Sequence, residues 1–234
     1  MLKLTPLLLA LAYALIAWRF SSWRLKAELD RRSRPLEEPG LERLTARLAK
    51  ALDLPHIPVH LYDIPAINGL AAPDGRIFLT RGFLDAYHAG RVTAEELTSV
   101  IAHELGHVAL GHSRRRMIDF SGQNALRMGL SMVLGRLLPG IGAYLANALT
   151  SLLAARLSRR DEYEADAYAA ALLTKAGIGT APQMRLLQKL ETLTGGGGRG
   201  TPAWLLSHPR TSERVAAIAR LDTGWQGTGQ KDMP

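Results

Sequence analysis

Cysteine is absent from all 234 residues. Disulfides and thiolate metal sites are thereby excluded, so any metal must be held by imidazole and carboxylate groups. Acidic side chains are scarce: 21 Asp and Glu stand against 29 Lys and Arg, a formal charge of +8. An excess of that sign fits nucleic acid or an anionic lipid surface. Aromatic residues make up only 6% and are not interleaved with basic ones in any recognisable binding motif, which argues against nucleic acid. The basic residues gather instead beside apolar segments, as Arg19, Arg24, Lys26, Arg31, Arg32 and Arg34, and later as Arg114 to Arg116. That distribution suits lipid. The first apolar run, Leu4 to Trp18 between Lys3 and Arg19, falls short of the about 20 residues of a bilayer span. No internal repeat is visible.

What is present suffices for one domain with attachments, at 25.5 kDa and 47% hydrophobic residues. The most informative segment is His103-Glu104-Leu105-Gly106-His107. Residues four apart lie on one helix face, so both imidazoles can grip one ion. Glu104 then stands beside that ion, placed to take a proton from water. This is the HExxH arrangement of zinc-dependent peptidases. Leu97, Val100, Ile101, Val108 and Leu110 surround it as a buried helix would require, and Thr93 with Glu96 spells a capping box at its start.

A catalytic zinc wants three protein ligands and one open position. The run Ser158 to Ala169 offers carboxylates on what reads as a second helix. Glu162 and Asp166, four apart, share a face, while Glu164 lies roughly 200° round from Glu162. Ala165 and Ala169 are small enough to let the two helices approach closely. Geometry favours the Glu162/Asp166 face without choosing which of the two meets the metal.

HELGHVALGH followed by SRRDEYEADAYA resembles the HtpX, CAAX-prenyl-protease and Oma-type metallopeptidases. The resemblance runs from about Leu41 to Leu221, with the motifs in the family's order. It implies an α+β, mainly α, zincin-like metallopeptidase domain with a small β-sheet beside the HExxH helix. Its ExxxD motif makes Glu162 the third ligand of one Zn2+ per chain, beside His103 and His107. Asp166 becomes the carboxylate that orients a ligating His. Glu104 would be the general base, passing its proton on to the leaving amine. The segment His208-Pro209 with Arg214 six residues after the His matches a third family feature, making His208 and Arg214 candidates to stabilise the oxyanion. The family's sheet edge receives an extended substrate by strand addition, here at Asn68, Gly69, Leu70 and Ala71 or at Arg76 to Thr80. The implied activity is endoproteolysis of misfolded or membrane-linked polypeptides in quality control. The rival is a zinc-binding membrane chaperone or adaptor of the same fold, against which an intact Glu104 argues.

The remaining segments read as follows. Residues 1–23 are a membrane anchor flanked by Trp18, Phe20 and Trp23, or a signal peptide cleaved near Ala12-Tyr13-Ala14. A single Lys precedes the apolar run and many charges follow it, which favours an uncleaved anchor at a bacterial inner membrane with the catalytic domain cytoplasmic. A cleaved signal would make the protein periplasmic. Residues 24–40 read as a basic linker, 41–221 as the domain and 222–234 as a disordered tail. Leu137 to Ala155 is apolar and lies between motif residues, so one crossing would split the site. An apolar, membrane-facing hairpin at about 120–157 is expected instead. Leu41, Leu44, Leu48 and Leu52 predict an amphipathic helix, His56 to Tyr62 a strand, Asp74-Gly75 a two-residue hairpin turn and Arg81 to Ala89 a helix. Thr180 and Gln183 cap a helix to Leu193. Gly195 to Gly200 is expected to be a flexible loop. His56, His60, His88 and His112 are read as structural.

Overall fold

The computed structural model describes residues 16, 19–20, 23–24, 26–72, 74–112, 130–195 and 211–227. Contacts divide the chain into two units, Met1–Arg31 with His112–Ser158, and Arg32–Gly111 with Arg159–Pro234. The second unit holds the motif residues. It is mainly helical with one four-stranded sheet in the order β1-β2-β4-β3, where β1 is Ser33–Pro35, β2 Val59–Tyr62, β3 Gly69–Ala71 and β4 Ile77–Thr80.

The sheet begins inside the basic segment read as a linker. Ser33 to Pro35 pairs antiparallel with Tyr62 to His60, because an edge strand tolerates the missing N–H of Pro35. Helix α1, Pro39–Ala51, starts with proline where no N–H is needed and buries Leu41 and Leu48 as the spacing predicts. Strand β2 is shorter than expected, starting after Pro58, and runs parallel to the wholly buried β4. Strand β3 is the other sheet edge, antiparallel to β4. The loop between them is wider than a two-residue turn, with Ala72 N donating to Arg76 O at 2.9 Å. A turn of Asp74-Gly75 alone would require residue 73 to donate, and proline has no N–H.

Helix α2, Arg81–His88, leads into α3, Ala94–Ala109. Thr93 and Glu96 form the expected capping box. Glu96 is fully buried, a costly place for a carboxylate. Thr93 N at 3.0 Å and Lys189 Nζ at 2.8 Å satisfy it, tying α3 to α5, Ala181–Gly195. Helix α4, Gly142–Lys175, enters the second unit at Arg159. Its small residues Ala165 and Ala169 are fully buried. A Cβ on Gly106 of α3 would stand 3.0 Å from Ala165 O and 3.1 Å from Ala165 Cα, so glycine sets how close the two helices come. Helix α6, Thr211–Gly227, continues past Asp222, where the sequence reading placed a disordered tail. Side chains of α1, α2, α3, α4, α5, α6 and the sheet share one apolar core.

In the first unit, residues 130–137 are helical and turn at 138–141 into α4. Gly142 and Ala146 are buried and so is Thr150. Among the described residues no helix is long and apolar enough to cross a membrane. Most of segment 1–23, read as an anchor or signal peptide, lies outside the described residues, as do 196–200 of the glycine loop.

Candidate metal centre

One turn of α3 presents His103 and His107 toward Glu162 of α4, all three nearly inaccessible to solvent. His103 Nε2 and His107 Nε2 are 3.2 Å apart. Glu162 places Oε2 3.4 Å from the first and Oε1 3.4 Å from the second. The two rings stand edge-on, at 89°. Four ligands placed tetrahedrally about zinc at about 2.05 Å lie about 3.3 Å from one another. The Nε2–Nε2 distance and the distance from each Nε2 to one Glu162 oxygen are close to that edge length, so two imidazoles and a carboxylate converge closely enough to hold a tetrahedral divalent cation with its fourth position open.

The sequence left Glu162 and Asp166 as alternatives on geometry, and the fold separates them. Asp166 Oδ1 lies 3.0 Å from His103 Nδ1, on the ring atom that does not face Glu162. A ring nitrogen held this way fixes the tautomer and leaves Nε2 as the donor. Glu164 points elsewhere, as expected, accepting from Arg160 Nε at 2.7 Å. Glu104 follows His103 on α3 and is 2% exposed.

Arg214 of α6 is 2% exposed, a burial that demands an anion. Its Nε and Nη2 donate to the two oxygens of Asp166 at 2.6 and 2.7 Å, and Nη1 lies 3.6 Å from Glu162 Oε2. The space lined by Arg214, Asp166, Gln183 and His103 is about 10 Å³, room for no more than one water. The guanidinium, expected from sequence to face a reacting oxygen, is thus engaged with Asp166. His208, the other oxyanion candidate, lies outside the described residues.

Burial alone would lower the His103 imidazole, but hydrogen bonds with Asp166 and Glu162 raise its pKa to about 9. His107 goes the other way, because burial outweighs its bond to Glu162. Burial would raise Asp166, yet the Arg214 guanidinium and His103 hold it down at about 2. The same carboxylate raises Arg214 against its own burial. The ensemble is a chain of alternating charge, Arg214 to Asp166 to His103, ending at the three convergent donors.

Two residues were missed by sequence reasoning. Gln183 was read as a cap of α5, but its amide donates to Asp166 O at 3.2 Å and Oδ1 at 3.4 Å. No local pattern distinguishes such an amide from a cap. Gly106 stands inside the motif, and a glycine in a helix interior costs about 1 kcal/mol relative to alanine, which is itself a signal of close packing.

Asn68, Gly69, Leu70 and Ala71 lie on and just before the edge strand β3, which packs against α3. Thr80 holds Asn68 from both sides: Asn68 N donates to Thr80 Oγ1 at 2.9 Å and Thr80 N donates to Asn68 O at 3.1 Å. Among the histidines read as structural, His88 bonds Glu38 at 2.9 Å and His60 stacks on Phe78 at 5.3 Å.

Comparison with known proteins identifies the family. The profile described as "Peptidase family M48" matches residues 35–222. Metalloprotease LoiP of Escherichia coli is 32% identical over 158 residues, 68% of this chain and 60% of its own length. Metalloprotease YcaL of the same organism is 32% identical over 74% of this chain and 66% of its own. Protease HtpX of Pseudomonas putida is 25% identical over 89% of this chain and 82% of its own. The chain therefore spans about two thirds or less of LoiP and YcaL. With the match covering most of the chain, from 35 to 222 and including His103, Glu104, His107 and Glu162, this chain belongs to peptidase family M48.

Proposed function

We propose that the protein is a membrane-associated, zinc-dependent endopeptidase that cleaves misfolded or membrane-linked polypeptides as part of protein quality control. The observation that carries this reading is the convergence of two imidazoles and a carboxylate, with the Nε2 atoms 3.2 Å apart and each 3.4 Å from one oxygen of Glu162, beside a buried Glu104. Two imidazoles and one carboxylate, with no cysteine in the chain, suit Zn2+ among common divalent ions. Zinc bound by His103, His107 and Glu162 supplies Lewis acidity toward water and toward the scissile carbonyl.

The chain's own residues do the rest. Glu104 accepts the proton of the attacking water and returns it to the leaving amine. Asp166 holds the His103 ring through Nδ1, Gln183 and Arg214 hold Asp166, and the ligand set is thereby fixed before substrate arrives. An extended substrate adds to the free side of β3. Asn68 and Ala72 bond inward to Thr80 and Arg76, so by antiparallel alternation Gly69 and Ala71 turn their backbone groups outward to receive it. His208 remains the proposed donor to the oxyanion. The basic residues following the first apolar segment favour a cytoplasmic catalytic unit.

The test compares wild type with Glu104→Gln. Both should bind one zinc per chain, and only wild type should hydrolyse casein, losing that activity to a chelator. Equal hydrolysis by the two would overturn the mechanism. Zinc binding without hydrolysis by either would favour the chaperone reading.

A further inference from the structure

The hairpin that interrupts the catalytic unit has its packing inside out. In the part of α4 that belongs to the first unit, the buried positions among the described side chains, Gly142, Ala146 and Thr150, are small and spaced by four. The large apolar side chains face outward: Ile141 is 56% exposed, Tyr144 78%, Leu145 42%, Leu149 53% and Leu152 68%. On the preceding helical arm Met132 is 76% exposed and Leu137 70%. A helical pair in water puts its leucines between the helices. Small residues inside and bulk outside is the arrangement of helices whose surroundings are themselves apolar. So many large apolar side chains exposed on one short hairpin mark an interaction surface.

Charge identifies the partner. From Phe120 to Ser158 there is no Asp or Glu, while Arg127, Arg136 and Arg156 are positive. Two copies meeting through this segment would bring together a sequence that carries positive charge and no acidic residue. Anionic headgroups supply that counter-charge, at about 1 kcal/mol per Arg near the surface. The same unit also exposes Phe20 at 59% and Trp23 at 65%, aromatic residues that favour the boundary between headgroups and acyl chains. Depth follows from length. Gly142 to Ala155 is an uncharged stretch of 14 residues before Arg156, about 21 Å of helix against a hydrocarbon core of about 30 Å.

We propose that residues 130–152 form a helical hairpin that docks on an anionic lipid surface, sunk to the acyl boundary through Tyr144, Leu145, Leu149 and Leu152 without crossing. This deepens the membrane association proposed above and does not depend on hydrolysis. Because the chain has no cysteine, single cysteines at Tyr144, Leu149 or Leu152, and at exposed Ala46 of α1 as a control, can carry a nitrobenzoxadiazole label on the full chain. Vesicles of phosphatidylcholine mixed with phosphatidylglycerol should shift emission to the blue at the three hairpin positions and not at Ala46. Phosphatidylcholine alone should give a much weaker response. Arg136→Gln should lower partition about fivefold. Quenchers placed high on the acyl chains should act more strongly than those at the bilayer centre. Zinc binding by each labelled chain establishes its folding, and casein hydrolysis is read separately.

The proposal is overturned by labels that ignore both vesicle types. It is equally overturned by labels that respond alike to both, that respond to protein concentration without vesicles (a second copy covering the face), or that are quenched best at the bilayer centre.

Discussion

Gly106→Ala tests whether the close approach of α3 and α4 is what builds the metal centre. The added Cβ would meet Ala165 O at 3.0 Å, Ala165 Cα at 3.1 Å and Tyr168 Cβ at 3.3 Å. Comfortable contact begins near 3.5 Å, so the helices must part by about half an ångström. Two of the three atoms met are backbone, and no side-chain rotation relieves them. The displacement falls on the metal donors themselves, because His103 and His107 flank Gly106 and Glu162 lies less than one turn from Ala165. Metal sites hold their distances to about 0.2 Å. We expect zinc affinity to fall about ten- to a hundredfold, the range seen when supporting groups of a site are removed.

Fold stability should move far less. Replacing a helical glycine with alanine gains about 1 kcal/mol, and overpacking costs about 1–3 kcal/mol. The net is a loss of roughly 0–2 kcal/mol. Competition with a chromophoric chelator gives the affinity, and urea denaturation of the metal-free chain gives the stability. An affinity within twofold of wild type would refute the argument, and so would a loss of affinity fully explained by global unfolding.

Two further expectations concern the buried charges. In the metal-free chain His103 titrates near 9, above its ordinary 6.5. The stability it contributes is therefore complete below pH 6.5 and disappears as pH rises through about 9. Zinc must displace that proton, so its apparent affinity should rise about tenfold from pH 7 to pH 8; calorimetry in buffers of different protonation enthalpy should find close to one proton released, and none released would sink this assignment. Arg214→Met leaves Asp166 buried without its cation and should cost about 3–5 kcal/mol. The double variant Arg214→Met with Asp166→Asn should recover part of that loss in urea denaturation, whereas strictly additive losses would show that the pair is not coupled.

Much of the centre was legible in one dimension. The spacing of His103 and His107, the Thr93/Glu96 capping box and the shared face of Glu162 and Asp166 are properties of single helices, and helical periodicity writes them directly into the chain. The amphipathic spacing of α1 and the short helix α2 are legible for the same reason. Strand limits were less so, because they depend on hydrogen bonds to partners the local sequence does not name.

What tertiary structure alone decided is how the separate faces meet. Local spacing could not choose between Glu162 and Asp166; packing against α3 sends the first to both Nε2 atoms and the second to Nδ1 of His103. It also carries Arg214 and Gln183 onto Asp166, contacts that no local pattern in the chain names. Periodicity records which side of a helix is apolar or polar. Which atoms come within 3 Å across two helices depends on the distance and rotation between them, and those are set by Gly106, Ala165 and the rest of the core acting together.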